Sequence, residues 1–235
     1  MKKKILLIKN VTRPHKNLVE KILEEDKRSY LCVELDRGDT LPSLDNIGGV
    51  IVFGGPRSVN DESQEIRELA NLSQHAIQYN IPFLGICLGF QILARVFSQK
   101  VGSFFPPEVG CRDEHGKTYE IELTDFGRGD PIFLGLPEKM PVFEFHYESV
   151  RADQKYPVIA HGNNNSVQAV KYASLAYGIQ WHFEFTFEFF LHLLSHHPGL
   201  QGLDKEKLRK DYELFAQEYE KYGLRLFRNF LQMAD

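Results

Sequence analysis

The sequence predicts an α/β fold with a mainly parallel central sheet, helices on both faces, and a small antiparallel extension. Three observations predict it. Short apolar runs alternate with amphipathic helical stretches over residues 4–100, the βαβα pattern of a covered parallel sheet. Two of those runs end in glycine-bearing turns, at Gly54-Gly55-Pro56 and at Gly85 to Gly89. Beyond residue 110 the pattern changes to strands joined by tight turns.

Taken in order, residues 4–9 form the first strand and 14–28 an amphipathic helix. Residues 30–35 form the second strand and 49–53 the third, closed by Gly54-Gly55-Pro56. A helix over 61–79 leads to an apolar strand over 81–86, and a further helix begins around Ile92. The middle segment holds strands at 117–123, 142–145, 158–161, 166–172 and 176–181. Gly162-Asn163-Asn164-Asn165 is a hairpin-type connection, because Gly and Asn tolerate positive φ. A helix over 187–196 stops before Pro198-Gly199, and a charged amphipathic tail runs from Asp204 to about Leu231, broken near Gly223.

With 235 residues, 43% of them hydrophobic, the chain supplies one sizeable core, and a single domain over 1–235 with a helical tail at 204–235 is expected. A formal net charge of -4 gives no electrostatic case for nucleic acid. The opening Met1-Lys2-Lys3-Lys4 precedes an apolar stretch too short for a signal-peptide core. No apolar run approaches the ~20 residues of a membrane span, so neither a membrane nor a nucleic acid is an expected partner. The three cysteines are an odd number without a repeating spacing, which suggests neither a disulfide framework nor a zinc knuckle. A cytoplasmic, reducing compartment is the expectation, with no cofactor and no metal.

The chemistry is concentrated at Gly85-Ile86-Cys87-Leu88-Gly89-Phe90-Gln91. Cys87 falls on the sharp turn between a buried strand and a helix, which is a nucleophile elbow with cysteine in place of serine. In a parallel sheet, such turns at the carboxyl ends of strands are where active sites gather. Far downstream, Gln180-Trp181-His182-Phe183-Glu184 places an imidazole and a carboxylate on one face of a short strand. Cys, His and Glu together are the parts of a thiolate hydrolase. Cys32 reads as a small hydrophobe within a strand, and Cys111 as a bystander beside Arg112 and Asp113. His192 and His196 have the i, i+4 spacing of metal ligands. No acid of the HExxH kind lies between them, so they and His197 read as a solvated helix end.

With these segments and Gly54 to Asp61, the chain resembles the class I (triad) glutamine amidotransferases, over about residues 4–190. It is similar to the amidotransferase domain of GMP synthase and to its stand-alone relatives. The resemblance implies a flavodoxin-like fold. It implies Cys87 as nucleophile, His182 as base, Glu184 as the group that orients the imidazole, and the backbone N–H groups of Gly55 and Leu88 as oxyanion hole. Gly54, Gln91, Phe145, His146 and Tyr147 match positions that line the substrate pocket in relatives. Phe90, Phe183 and His146-Tyr147-Glu148 depart from the residues common there, and the last change bears on the acceptor or partner. The implied activity is hydrolysis of the glutamine side-chain amide through a cysteine γ-glutamyl thioester, with ammonia passed to a separate synthase. The alternative is a stand-alone γ-glutamyl amide or peptide hydrolase with the same triad. A non-catalytic regulatory or binding protein on this fold is the alternative of another class.

Overall fold

The computed structural model describes residues 3–151 and 155–234. Met1 and Lys2 of the basic opening, and Asp235 of the tail, lie outside these residues. The elements run β1 (Lys4–Lys9), α1 (Leu18–Glu25), β2 (Tyr30–Glu34), β3 (Ile47–Val52), α2 (Gln64–Gln78), β4 (Phe83–Ile86) and α3 (Leu88–Val96). There follow β5 (Val101–Gly102), β6 (Glu108–Gly110), β7 (Glu120–Leu123), α4 (Asp125–Arg128), β8 (Lys139–Pro141), β9 (Glu144–His146) and β10 (Ser149–Val150). The chain closes with β11 (Val158–Gly162), β12 (Ala169–Ala173), β13 (Ala176–Ile179), α5 (Phe187–His196), α6 (Lys205–Glu213) and α7 (Ala216–Met233).

A nine-stranded sheet has the order β2-β1-β3-β4-β13-β12-β11-β7-β8. The strands from β2 to β13 pair in parallel, and β12, β11, β7 and β8 pair antiparallel. The antiparallel part is thus an extension that continues the central sheet. Two small ribbons, β5 with β10 and β6 with β9, stand outside it. Strand alternation divides the core between the two faces. Ile5 and Leu7 of β1 pack with Leu18, Val19 and Ile22 of α1 and with Leu226, Phe227 and Phe230 of α7. Leu6 and Ile8 face the other way, toward Ile66 and Leu69 of α2 and Leu88, Phe90 and Ile92 of α3. Among the described residues no helix is long and apolar enough to cross a membrane.

Of the boundaries that differ from the sequence expectation, two have plain local reasons. The first helix starts at Leu18, not near residue 14, because Asn17 caps it. The Asn17 side chain accepts from Glu20 N while the Glu20 carboxylate accepts from Asn17 N, a reciprocal capping box. The tail breaks at residues 214–215, between α6 and α7, and Gly223 lies inside α7. That glycine is a contact residue: a methyl there would meet both the Phe183 carbonyl oxygen and Leu18 Cδ2 at 2.8 Å.

Candidate active site

Cys87 sits between β4 and α3 with φ 53° and ψ -107°, a conformation rare for a residue with a side chain. Its glycine neighbours are required by space. A methyl on Gly85 would lie 2.3 Å from the Gly89 carbonyl oxygen, and one on Gly89 would lie 2.2 Å from the Val52 carbonyl oxygen. The elbow thus turns tightly enough to press α3 onto β3 and β4, leaving the thiol at the N-terminal end of the helix. Phe90 packs its ring on Gly178 and is fully buried, so this departure serves packing.

β13 pairs in parallel with β4, with Ile179 opposite Ile86, and this brings the segment after β13 alongside the elbow. His182 is held there by an isolated bridge to Phe143, its N–H donating to the Phe143 carbonyl at 3.0 Å. His182 Nδ1 lies 2.6 Å from Glu184 Oε1. The ring stacks on Phe185, centroids 4.5 Å apart, and Phe185 stacks in turn on Phe189. Burial by itself would lower the pKa of His182, but the Glu184 charge and attraction to the Cys87 sulfur outweigh it and hold the pKa well above the ordinary value. The Glu184 carbonyl accepts the Leu18 N–H at 2.8 Å, which ties the first turn of α1 to this segment. Phe183 is fully buried with its ring between Trp181 and Tyr219, so the residue common at this place in relatives is replaced by one that anchors α7.

Gly54 and Gly55 form the opposite wall. A methyl on Gly54 would come within 3.0 Å of His182 Cε1, 3.2 Å of Cys87 Cβ and 3.6 Å of its sulfur, so this backbone closes directly over the Cys87 and His182 pair. Among the described residues neither Gly55 nor Leu88 donates its backbone N–H to another group. Gln91 Nε2 donates to the Glu148 carbonyl at 3.0 Å and approaches Gln180 Oε1 at 3.4 Å. Phe145 and Tyr147 border the cavity, and the Phe145 carbonyl lies 3.9 Å from the Cys87 sulfur. His146 borders it too, but its Nε2 is turned away, toward Glu108 and Glu144.

All the residues singled out from sequence except Leu88 line one cavity of about 360 Å³. Several others share it. Outside the lining but against Gly55, Asn10 donates from Nδ2 to the Phe53 carbonyl at 2.7 Å and so props the Gly54-Gly55 turn. Lys9 is buried against Glu20, its Nζ 2.8 Å from Oε1. Arg13, Phe189, Leu193 and His197 complete the outer wall. Glu148 accepts from Ser58 at 2.7 Å and joins this wall to the loop after Gly55. The position of Lys9 and Asn10 at the carboxyl end of the first strand was the sequence signal for them. His197 packs against Phe145, centroids 4.5 Å apart, and is not simply a solvated helix end. Burial and the Arg13 charge lower its pKa; burial, then His196, Arg13 and His15, lower that of His192. His192 and His196 stack, and His196 Nδ1 is engaged by the His192 carbonyl at 3.0 Å. Cys111 is fully buried, and burial raises its pKa; Cys32 is half-buried and raised by the same cause.

The family profile described as glutamine amidotransferase class-I matches residues 8–192. A glutamine-hydrolysing GMP synthase subunit from Pyrococcus furiosus is 35% identical over 160 residues, covering 65% of this chain and 77% of that protein. A putative glutamine amidotransferase-like protein, YfeJ of Salmonella typhimurium, is 27% identical and spans 87% of this chain and 90% of its own length. In fold, the chain is similar to the crystal structure of a glutamine amidotransferase from Thermotoga maritima, with a TM-score of 0.83 at 22% identity over 100% of this chain and 99% of that one.

Proposed function

Since the chain belongs to the class I glutamine amidotransferase family, we propose that it hydrolyses the side-chain amide of glutamine through a γ-glutamyl thioester on Cys87. The observation that carries this reading is the placement of His182, bound to Glu184 at 2.6 Å, beside a cysteine in a strained elbow at the start of α3. His182, its pKa raised, takes the Cys87 proton and leaves the sulfur as the nucleophilic thiolate at the positive end of the helix. The thiolate attacks the amide carbon, and the negative charge that develops on oxygen meets the N–H groups of Gly55 and Leu88. His182 gives its proton to the leaving nitrogen as the C–N bond breaks, releasing ammonia. It then takes a proton from water, which attacks the thioester and frees glutamate and the thiolate. Glu184 keeps the ring in one tautomer and stabilises its charge.

The relatives named as glutamine-hydrolysing GMP synthase subunits support delivery of that ammonia to a separate synthase. A second reading, a stand-alone hydrolase of larger γ-glutamyl amides or peptides, is favoured by the outer wall of the cavity. Phe145, Phe189, Leu193 and Arg13 offer an apolar and cationic surface beyond the amide. Ammonia release from glutamine, compared with amine release from a panel of γ-glutamyl amides and peptides, separates the two. A strong preference for larger substrates establishes the hydrolase. Weak turnover of everything, with Cys87 still labelled by a glutamine-analogue electrophile, establishes an amidotransferase that needs its partner. Cys87→Ala and Cys87→Ser each abolish turnover on either reading; normal turnover in both would falsify the assignment, and no labelling of folded protein would leave the non-catalytic reading.

A further inference from the structure

Behind the pocket wall lies a charged cluster that the triad does not use. β6 and β9 pair antiparallel with Glu108 opposite His146, Val109 opposite Phe145 and Gly110 opposite Glu144. Alternation along β9 sends Glu144 and His146 to one side and Phe145 to the other, where it borders the cavity. His146 Nε2 lies 2.9 Å from Glu108 Oε2 and 3.3 Å from Glu144 Oε2. Gln168 Nε2 donates to the same Glu108 oxygen at 3.0 Å. Glu108, Glu144 and Gln168 are each 1% exposed and His146 is 3% exposed.

Two carboxylates and one imidazole this deep cannot stay unbalanced, since burying an uncompensated charge costs several kcal/mol. A protonated His146 neutralises one carboxylate. The Glu144 Oε2 atom has no hydrogen-bond partner, and neither has Gln168 Oε1, so two buried acceptors of the cluster are left without a donor. Burial lowers the His146 pKa, but its bonds to Glu108 and Glu144 raise it to about 10; burial raises Glu144 to about 7. The charged or titratable groups facing the cluster are Tyr119, just before β7, and His182 beyond β13. The three donor atoms also converge within 4.8 Å, as metal ligands do. Here, however, Gln168 donates an N–H to the Glu108 carboxylate, an arrangement that suits a hydrogen-bonded cluster.

We propose that Glu108, His146 and Glu144 form a positioning clamp. By gripping β9 from behind, they place the Phe145 carbonyl and the wall over residues 145–148 against Cys87, and so set the affinity for the γ-glutamyl group. The proposal rests on the glutamyl-amide reading above. None of the three is a catalytic residue; they act through the strand they hold.

The test compares the wild-type protein with Glu108→Gln. Cys87 modification is followed by peptide mass, with 6-diazo-5-oxo-norleucine as the glutamyl-shaped reagent and iodoacetamide as the shapeless one. In folded Glu108→Gln the half-saturating concentration of the diazoketone rises about tenfold or more. Its limiting rate and the iodoacetamide rate stay within about twofold of wild type. An unchanged half-saturating concentration overturns the clamp, as does an equal loss of both reactivities, which is general damage to the triad. Tightly bound divalent metal in the wild type that is lost in the variant overturns it as well. Nitrogen-15 spectra of histidine-labelled wild type decide the matter even where the variant does not fold. A doubly protonated His146 at pH 8 supports the clamp, and a neutral ring refutes it. Iodoacetamide labelling of wild-type Cys87 without any saturable diazoketone reaction or turnover would refute the glutamyl reading itself, and the His146 spectrum still judges the cluster.

Discussion

Asn10 and Glu144 show how single side chains outside the proposed triad support this site. Asn10 is 8% exposed and gives its amide hydrogen to the Phe53 carbonyl, one residue before Gly54. Asn10→Ala removes that prop, costing about 1–2 kcal/mol of stability and, by displacing the Gly55 N–H proposed as an oxyanion donor, about tenfold or more in kcat/KM for amide hydrolysis. Ammonia release alongside urea unfolding checks both; an unchanged kcat/KM would show that the turn holds itself. Glu144 and His146 both have folded-state pKa values raised above their ordinary ones, to about 7 and about 10. A raised pKa means that the folded protein holds the proton more tightly than the unfolded chain, so both contributions are full in acid and fade as pH climbs. Glu144 sets the window from about 4.5 to about 7, and His146 the one from about 6.5 to about 10. The wild-type Tm is expected to fall between pH 5 and 8 by an amount on the order of 1–3 kcal/mol in stability. Glu144→Gln, which carries no proton to lose, flattens the part of that stretch below about pH 7 and leaves the His146 part. Differential scanning calorimetry across the range reads it directly, and equal slopes in the two proteins would place the proton elsewhere.

At the scale of elements, the C-terminal helix is clamped to the N-terminal half. Arg28 donates from its two terminal nitrogens to the Leu231 and Ala234 carbonyls, each at 2.7 Å, and so occupies the negative end of α7. Arg28→Ala is expected to cost about 1.5–3 kcal/mol and to lower Tm by roughly 3–10 °C. Charge reversal at exposed Arg209 is the control, because its partners Glu206 and Glu213 lie on its own helix. Elements set by short-range pattern were legible in the sequence. The run at residues 4–9 and the helix over 187–196, with Thr186 before it and Pro198 after it, match β1 and α5 to the residue. Elements set by distant partners were not. β5, β6, β8 and β10 have two or three residues each, and exist because a strand elsewhere pairs with them. Gly223 read as a helix break because its reason for being small is Phe183, forty positions back in the chain.

Across the whole molecule, the sheet separates two helical layers, and the site opens at the carboxyl ends of β1, β3, β4 and β13. The glycine turns, the elbow and the His182 segment were readable because each is contiguous. The clamp on β9 was not, since Glu108, His146 and Gln168 come from three separate segments and carry no shared motif. Helix α7 packs on Leu18 of α1 and on Phe183, whose ring lies against Trp181. Removal of residues 216–235 is therefore expected to expose them and give an aggregating protein with a red-shifted spectrum from Trp181, the only tryptophan. A monomeric truncation with an unshifted spectrum would show that the helix is dispensable. The strand order has a further consequence, for the life of the chain as it leaves the ribosome. β4 emerges early and finds β3, but its other neighbour is β13, made near the end. Cys87 thus spends the time needed to add residues 88–182, roughly 5–20 s at usual synthesis speeds, without His182, its proposed base. During that interval the nascent chain carries an unpaired strand edge and an idle thiol, and it becomes chemically competent only when its last strand slides between two already made.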